Sequence, residues 1–140
     1  MSAAADSVAL DTSAAVPYLM LSHPAHLVTR GQIAGRTPIL TTHSLAETYS
    51  VLTRLPGDAR VKPADAAVLL AGNFEDPIAP RLEVSGNLPA VLAPLGVAGG
   101  AVYDALVGLA AEAAGVTLIT RDARAIPTYT AVGATIEIGG

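Results

Sequence analysis

Four acidic residues stand at positions from which they could act together on one ligand. They are Asp11, Glu47, Asp104 and Asp122. Two carboxylates about 4 Å apart repel each other by about 4 kcal/mol at an effective dielectric constant of about 20. A converging set therefore takes up protons, a cation or a basic side chain from a partner. Carboxylate oxygens without His or Cys favour Mg²⁺ or Mn²⁺ over zinc.

Three of these acids also have a structural explanation. Asp11 opens an Asp-Thr-Ser sequence that is typical of a helix-capping turn. Asp104 falls in the first turn of a predicted helix, where the helix dipole favours a carboxylate. Asp122 can accept a hydrogen bond from its own backbone in a turn. Each explanation suffices for one residue, and none accounts for the whole set.

Glu47 is open to two interpretations. The pattern Ser44-x-x-Glu47 matches a capping box, in which Glu47 reaches back to the Ser44 amide. Thr41 and Thr42 are also suitable caps, and either would move Glu47 into the helix body. There it would lie one turn from His43, which is then a candidate for the edge of a substrate site.

Strand and helix patterns alternate along the chain. We predict strands over 7–10, 38–41, 116–120 and 135–138, with the last at or near a sheet edge. We predict helices over 25–34, 45–52, 63–73 and 101–114, a short one within 88–95, and a first helix that Ser13 caps and that runs to Leu21. This alternation indicates a parallel sheet covered on both faces. In such sheets the ligand site lies beyond the carboxyl ends of the strands, where Asp11 and Asp122 stand.

Composition limits the class of protein. The chain has 140 residues, of which 51% are hydrophobic and 14% charged, which fits one domain over 1–140 and rules out intrinsic disorder. Twelve acidic residues against eight basic ones give a net charge of −4, so no broad cationic face is available for non-specific nucleic-acid binding. The sequence has no Cys, which excludes disulfides and thiolate zinc sites.

Neither a membrane span nor a secretory leader is expected from the sequence. The uncharged stretch 84–103 is interrupted by Pro89, Pro94 and four glycines, which do not suit a continuous spanning helix. Residues 1–7 contain no basic side chain and carry Asp6, unlike a signal peptide. We therefore expect a soluble, cytoplasmic protein.

The order of the acids resembles that of the PIN-domain ribonucleases, in particular the VapC toxins of bacterial toxin–antitoxin pairs. The resemblance covers nearly the whole chain. The motifs that carry it are Leu10-Asp11-Thr12-Ser13, Ser44-Leu45-Ala46-Glu47, Tyr103-Asp104-Ala105 and Leu118-Ile119-Thr120-Arg121-Asp122. It implies a three-layer α/β PIN-like fold, with a central, mostly parallel sheet of four to five strands and helices on both faces. It also implies a metal-dependent endoribonuclease that hydrolyses RNA phosphodiesters as the toxin of a type II toxin–antitoxin pair.

The resemblance also implies roles for individual residues. The four acids would hold the divalent metal, Mg²⁺ or Mn²⁺. Hydroxyl groups beside them would bond a carboxylate or a metal-bound water, and these belong to Thr12, Ser13 and Thr120. Family members often carry an aromatic residue soon after the last acid, whereas Ala123-Arg124-Ala125-Ile126 follows Asp122 here. The packing near Asp122 is therefore expected to differ.

Partners are implied in the same way. We expect a VapB-like antitoxin that lays a helix or tail across an apolar groove, and a working unit that is a homodimer or a toxin–antitoxin hetero-oligomer. The groove is expected among the early helices, around Val16, Leu19, Leu27 and Leu45. Arg121 and Arg124 flank Asp122 and are the candidate contacts to RNA phosphates.

Two other functions compete with this one. A phosphotransferase of the haloacid-dehalogenase type also has an Asp after its first strand, here Asp11. That chemistry uses a second Asp two residues later, where this chain has Ser13. A non-catalytic binding module of the same fold remains open if the four acids do not converge or do not bind metal.

Overall fold

The computed structural model describes residues 6–140. Residues 1–5, which carry most of the stretch expected above not to be a leader, lie outside the described residues. Four strands form one parallel sheet in the order β2-β1-β3-β4. They are β1 (Ser7–Leu10), β2 (Thr37–Leu40), β3 (Thr117–Thr120) and β4 (Ile136–Ile138). All four predicted strands are present, with ends shifted by about one residue, and β4 lies at an edge as predicted.

The central strand β1 sets the place of the site. It pairs with β2 through Leu10 and Leu40, and with β3 through Leu10 and Ile119. The chain leaves β1 for β2 on one side and returns to β3 on the other, so the strand order reverses between β1 and β3. A crevice at the carboxyl ends of two such strands is the usual ligand site of a parallel sheet.

Helices fill the connections between the strands. They are α1 (Thr12–Leu19), α2 (His26–Ile33), α3 (Thr42–Thr53), α4 (Pro63–Asn73), α5 (Leu82–Ser85), α6 (Leu88–Leu92), α7 (Ala101–Ala114) and α8 (Ile126–Ala131). The short helices α5 and α8 were not predicted, and α1 ends two residues before its predicted end. Within residues 6–140, no helix has the length and apolar character that a membrane span requires.

Alternate residues of the strands pack into opposite layers. Val8 and Leu10 belong to one apolar cluster with residues of α1, α2, α3 and α4. Ala9 and Leu118 belong to a second cluster with residues of α7 and α8. The predicted three-layer α/β fold is therefore confirmed. The sheet has four strands, and a single bridge between residues 41 and 78 extends it beyond β2.

The N-terminal caps of α1 and α3 determine where Asp11 and Glu47 lie relative to these helices. Asp11 caps α1, because its carboxylate accepts a hydrogen bond from the Ala14 amide at 3.2 Å. This confirms the helix-capping interpretation of Asp-Thr-Ser, whereas the prediction of Ser13 as the cap is wrong. Thr41 caps α3 and forms a capping box with Ser44. Glu47 consequently lies in the body of α3, as in the second of its two interpretations.

The apolar groove lies elsewhere than predicted. Leu19 belongs to the core, and Leu27 is 83% exposed on the outer face of α2. Leu27 points outward because α2 buries its opposite face, through His26, Thr29 and Ile33. A groove of about 590 Å³ opens instead between α3 and α4, and of the predicted residues Leu45 lines it. The prediction of a groove around Val16, Leu19 and Leu27 is therefore wrong.

Candidate active site

Asp11 lies directly after β1, at the point where the strand order reverses. The residue is only 4% exposed, and its carboxylate is held from several sides. Ser13 Oγ donates to Oδ1 at 2.5 Å, while Thr120 Oγ1 and Tyr129 Oη donate to Oδ2 at 2.5 and 2.8 Å. Because these donors come from α1, β3 and α8, the orientation of the Asp11 side chain is fixed by three separate parts of the fold.

The buried environment of Asp11 disfavours its ionised form. Burial raises the pKa of Asp11 above its ordinary value of 3.8, although the hydrogen bonds from Ser13, Thr120 and Tyr129 oppose that shift. These partners are neutral hydroxyls. Burial and the nearby Asp11 charge raise the pKa of the Tyr129 hydroxyl far above its usual range, so this group stays protonated and donates. The site thus holds an acid by hydrogen bonds without a counter-charge among these partners.

Asp104 lies in the first turn of α7. Burial raises the pKa of Asp104, and the charges of Asp122, Glu47 and Asp11 raise it further, whereas Arg124 lowers it. The charges of the other three acids singled out in the sequence thus act on Asp104, which indicates that they lie within electrostatic range of it.

Asp122 has a structural role as well as a place in the cleft. Its Oδ1 accepts a hydrogen bond from the Arg124 backbone amide at 3.1 Å, which caps a short 3₁₀ turn. The Arg124 guanidinium also pairs with Asp122 Oδ2 at 3.1 Å, and this Arg side chain is 90% exposed. Arg121, the other candidate RNA contact, lies against the C-terminal segment, with its Nε 3.5 Å from the Gly140 carbonyl oxygen.

Glu47 occupies the wall of the cleft that α3 forms. Its side chain is 49% exposed, and its Oε2 lies 3.8 Å from Nε2 of His43, one turn earlier. The His43 ring stacks on the ring of Tyr103, the residue before Asp104. Packing of α3 against α7 thus joins the two helices that carry Glu47 and Asp104.

Comparison with known proteins assigns the family. The sequence model described as the PIN domain matches residues 8–129, a range that includes all four acids. The chain belongs to the PIN-domain family. It is 48% identical over 131 residues to Ribonuclease VapC27 of Mycobacterium tuberculosis, covering 94% of this chain and 96% of that protein. It is 39% identical over 132 residues to Ribonuclease VapC40 of the same organism, covering 94% and 98%. The resemblance to VapC PIN-domain toxins is therefore confirmed.

Solved structures of low sequence identity share this PIN fold. FitAB bound to an IR36 DNA fragment matches with a TM-score of 0.64 and 16% identity, over 94% of each chain. FitAcB from Neisseria gonorrhoeae matches with a TM-score of 0.60 and 14% identity, over 92% of this chain and 95% of that one. At these identities the likeness establishes the fold.

Tyr129 is the site residue of this PIN domain that the sequence did not reveal. It is 1% exposed and lies in α8, beneath Asp11. Helix α8 approaches α7 closely at Gly108, where a Cβ atom would stand 2.7 Å from Val132 Cγ2 and 3.2 Å from Tyr129 Cδ1. A glycine in the middle of the α7 pattern was the one signal of this close approach.

The donor chemistry of the cleft fits a hard divalent cation, and PIN-domain ribonucleases are in general divalent-metal dependent. The four acids supply carboxylate oxygens, the ligands that such ions prefer. Thr12 Oγ1, next in the chain to Asp11, is buried and has no hydrogen-bond partner. In the described part of the chain, no three acidic or His side chains are close enough to ligate one ion as they stand. The acids therefore share the cleft at electrostatic range, and ligand distances would require side-chain movement.

Proposed function

We propose that the four-acid cleft makes this chain a divalent-metal-dependent endoribonuclease, the toxin of a type II toxin–antitoxin pair. Membership of the PIN-domain family and the identity to two VapC ribonucleases support the ribonuclease activity. The observation that carries the assignment to this cleft is the position of Asp11, which is buried at the carboxyl end of β1, where the strand order reverses, and is held by three hydroxyl donors. The charges of three acids act on Asp104 in addition. Such a concentration of like charge in a crevice is typical of a functional site rather than of a structural one.

We assign the central ligand positions to Asp11 and Asp104, with Asp122 and Glu47 completing the set around Mg²⁺ or Mn²⁺. Both cations suit oxygen donors. When bound, such an ion would supply a nucleophilic water near neutral pH and offset the charge on the scissile phosphate. The unpartnered Thr12 hydroxyl supports a place for Thr12 beside the ion or its water shell.

Two hydroxyl groups link Asp11, which follows β1, to the turn after β3 that carries Asp122. Ser13 Oγ donates to Asp11 and accepts a hydrogen bond from the Arg121 backbone amide at 2.7 Å. Thr120 Oγ1 donates to Asp11 and accepts from the Asp122 amide at 3.0 Å. The same two side chains thus orient the Asp11 carboxylate and fix the turn that carries Asp122. We assign them a positioning role.

The proposed partners follow from the family. RNA is the substrate, and the exposed Arg124 and Arg121 beside the cleft are the proposed phosphate contacts. A VapB-like antitoxin is the proposed inhibitor, because the relatives above are VapC proteins. The working unit would be a homodimer or a toxin–antitoxin hetero-oligomer, acting in the cytoplasm. The match over residues 8–129 supports a single PIN-like domain over 1–140.

Separate observations count against each of the two competing functions. A phosphotransferase of the haloacid-dehalogenase type needs an acid/base carboxyl two residues later. Here that position is Ser13, whose hydroxyl is engaged with Asp11 itself. The identity to two ribonucleases over 94% of the chain counts against a non-catalytic module.

Site-directed substitution tests the proposed function. Asp11→Asn and Asp104→Asn each keep the shape of the side chain and remove one charge, and Asn caps a helix about as well as Asp. Both variants should lose Mg²⁺- or Mn²⁺-dependent cleavage of RNA. Asp65→Asn is the matched control, because Asp65 is exposed in the first turn of α4 just as Asp104 lies in the first turn of α7. Normal cleavage by both cleft variants would show that these acids do not form the nuclease site.

A further inference from the structure

Two aromatic rings stack on each other at the rim of the acidic cleft. The rings of His43 and Tyr103 have centroids 5.5 Å apart and planes inclined by 16°. His43 lies in the first turn of α3, and Tyr103 lies in the first turn of α7. The stack therefore bridges the two helices that form this side of the cleft.

The stack stands directly beside two of the four acids. Tyr103 precedes Asp104 in α7, and His43 Nε2 lies 3.8 Å from Glu47 Oε2. A ligand whose phosphate reaches the acids would therefore have its neighbouring groups close to these rings.

The Tyr103 side chain is largely exposed to solvent. It is 58% exposed, whereas Tyr129 is 1% exposed in the core. His43 covers part of Tyr103 and restricts its rotation, while the remaining surface of the ring is open to solvent. An exposed, oriented aromatic ring offers a surface on which a planar group can stack at low conformational cost.

Charge alone provides little attraction for RNA at this cleft. The chain has a net charge of −4, and Arg124, whose charge acts on Asp104, already pairs with Asp122. Phosphate contacts to Lys and Arg normally supply most of the affinity of a nucleic-acid binder. Stacking of unpaired bases on aromatic side chains is the other main source, and it works without a basic surface.

We propose that the His43–Tyr103 stack is a base platform: the open side of Tyr103 stacks on an unpaired nucleobase beside the scissile phosphate, and His43 holds the ring in place. The inference rests on the proposed ribonuclease function, since it concerns the nucleotide next to the cleavage site. Tyr103 binds substrate in this account, and His43 is a positioning residue.

Steady-state cleavage of a short single-stranded RNA tests the platform. The probe is a sequence that the wild-type chain cuts in the presence of Mn²⁺, made intact and with an abasic nucleotide on either side of the cut. Tyr103→Ala should raise KM for the intact RNA by about tenfold with little change in kcat. Tyr103→Phe keeps the ring and should stay near the wild-type KM, and His43→Ala should give a smaller rise. Tyr49→Ala, which changes a half-exposed aromatic of the α3–α4 groove, is the matched control.

The abasic probes separate stacking from other roles of Tyr103. One abasic position should raise KM for the wild-type chain about as much as Tyr103→Ala does, and the variant should be insensitive to that same position. A wild-type KM for Tyr103→Ala overturns the platform while leaving the ribonuclease function in place. A KM rise equal for intact and abasic RNA, together with dissociation of the variant in sedimentation, identifies Tyr103 as a contact between copies and also overturns it. Absence of RNA cleavage by the wild-type chain overturns both proposals.

Discussion

Carboxylates are held in two opposite ways in this molecule. On the edge strand β4, Glu137 accepts hydrogen bonds from the Arg36 guanidinium at 2.7 and 2.9 Å and from Gln32 Nε2 at 2.8 Å. These partners lower the pKa of Glu137 to about 2. In the cleft, burial and neighbouring acids raise the pKa of Asp104, and burial raises that of Asp11.

The opposite pKa shifts distinguish Glu137, whose charged form stabilises the fold, from Asp104 and Asp11, whose charged forms destabilise it. A carboxyl with a lowered pKa stabilises the folded state in its charged form, and one with a raised pKa destabilises it. Glu137 ties the segment before β2 to β4 through its ion pair with Arg36. Asp11 is held by neutral hydroxyl groups, and the charges of three acids outweigh that of Arg124 at Asp104, so a bound cation would supply the missing counter-charge. Substitutions in the two regions should therefore affect stability and activity in opposite ways.

The largest expected effect is on cleavage, from Asp104→Asn. RNA cleavage should fall by at least about 100-fold, the scale of losing one group that stabilises charge in a transition state. The chelator-treated variant should nevertheless melt at or above the temperature of Asp65→Asn at pH 7. The raised pKa means that stability present below pH 3.8 is lost as the pH rises through the folded-state pKa of Asp104. Because Asn does not ionise, the variant does not lose this stability as the pH rises. A variant that cleaves normally, or that melts well below the control, contradicts this account of the cleft.

A smaller effect is expected from Tyr129→Phe, which removes one donor to the buried Asp11. Hydrogen bonds to charged groups contribute about 1.5–3 kcal/mol, so the free energy of unfolding should fall by about that amount at pH 7. The loss should shrink in acid, because a protonated carboxyl accepts weaker hydrogen bonds. Urea unfolding at two pH values measures both, with Tyr18→Phe as the control. An unchanged free energy of unfolding at pH 7 would show that the Tyr129 hydroxyl does not support Asp11.

The smallest effect is expected on β4, from Glu137→Gln. Its side chain is about a third exposed, so solvent screening limits the ion pair to about 1 kcal/mol. Because the pKa of Glu137 is lowered, its contribution is present above pH 4.5 and is lost as the pH falls through about 2. The stability difference from wild type should close over that range, and RNA cleavage should not change. Thermal melting across the acid range and one cleavage assay measure both. A loss of cleavage would show that the two regions are not independent.

The elements that local patterns define were predictable from the sequence. The apolar run of β3 and the helix α7, which ends at Gly115 in the left-handed conformation with φ 67°, follow from residue order alone. Helix α8 could not be predicted, because it is short and is held by packing against Gly108 rather than by its own periodicity. The groove was misplaced because α2 buries His26 and Thr29 while it exposes Leu27.

The site also has features that could be predicted from the sequence and features that could not. The convergence of Asp11 and Asp122 follows from their positions after neighbouring parallel strands. The contact of Tyr129 with Asp11 spans 118 positions of the chain and depends on how α8 packs. No local pattern encodes it. The double use of Ser13 and Thr120 as donors to Asp11 and acceptors from the next turn is equally a product of the fold.

The central claim is that the acids of the cleft form a cation site, and the dependence of thermal stability on added metal tests it most directly. A cation that binds only the folded state raises the melting temperature by an amount that grows with its concentration relative to Kd. After treatment with chelator, the wild-type chain and Asp65→Asn should both melt at a higher temperature when Mn²⁺ or Mg²⁺ is added, and Asp104→Asn and Asp11→Asn should not. The same rise in all four proteins, or no rise in the wild-type chain, would contradict the claim.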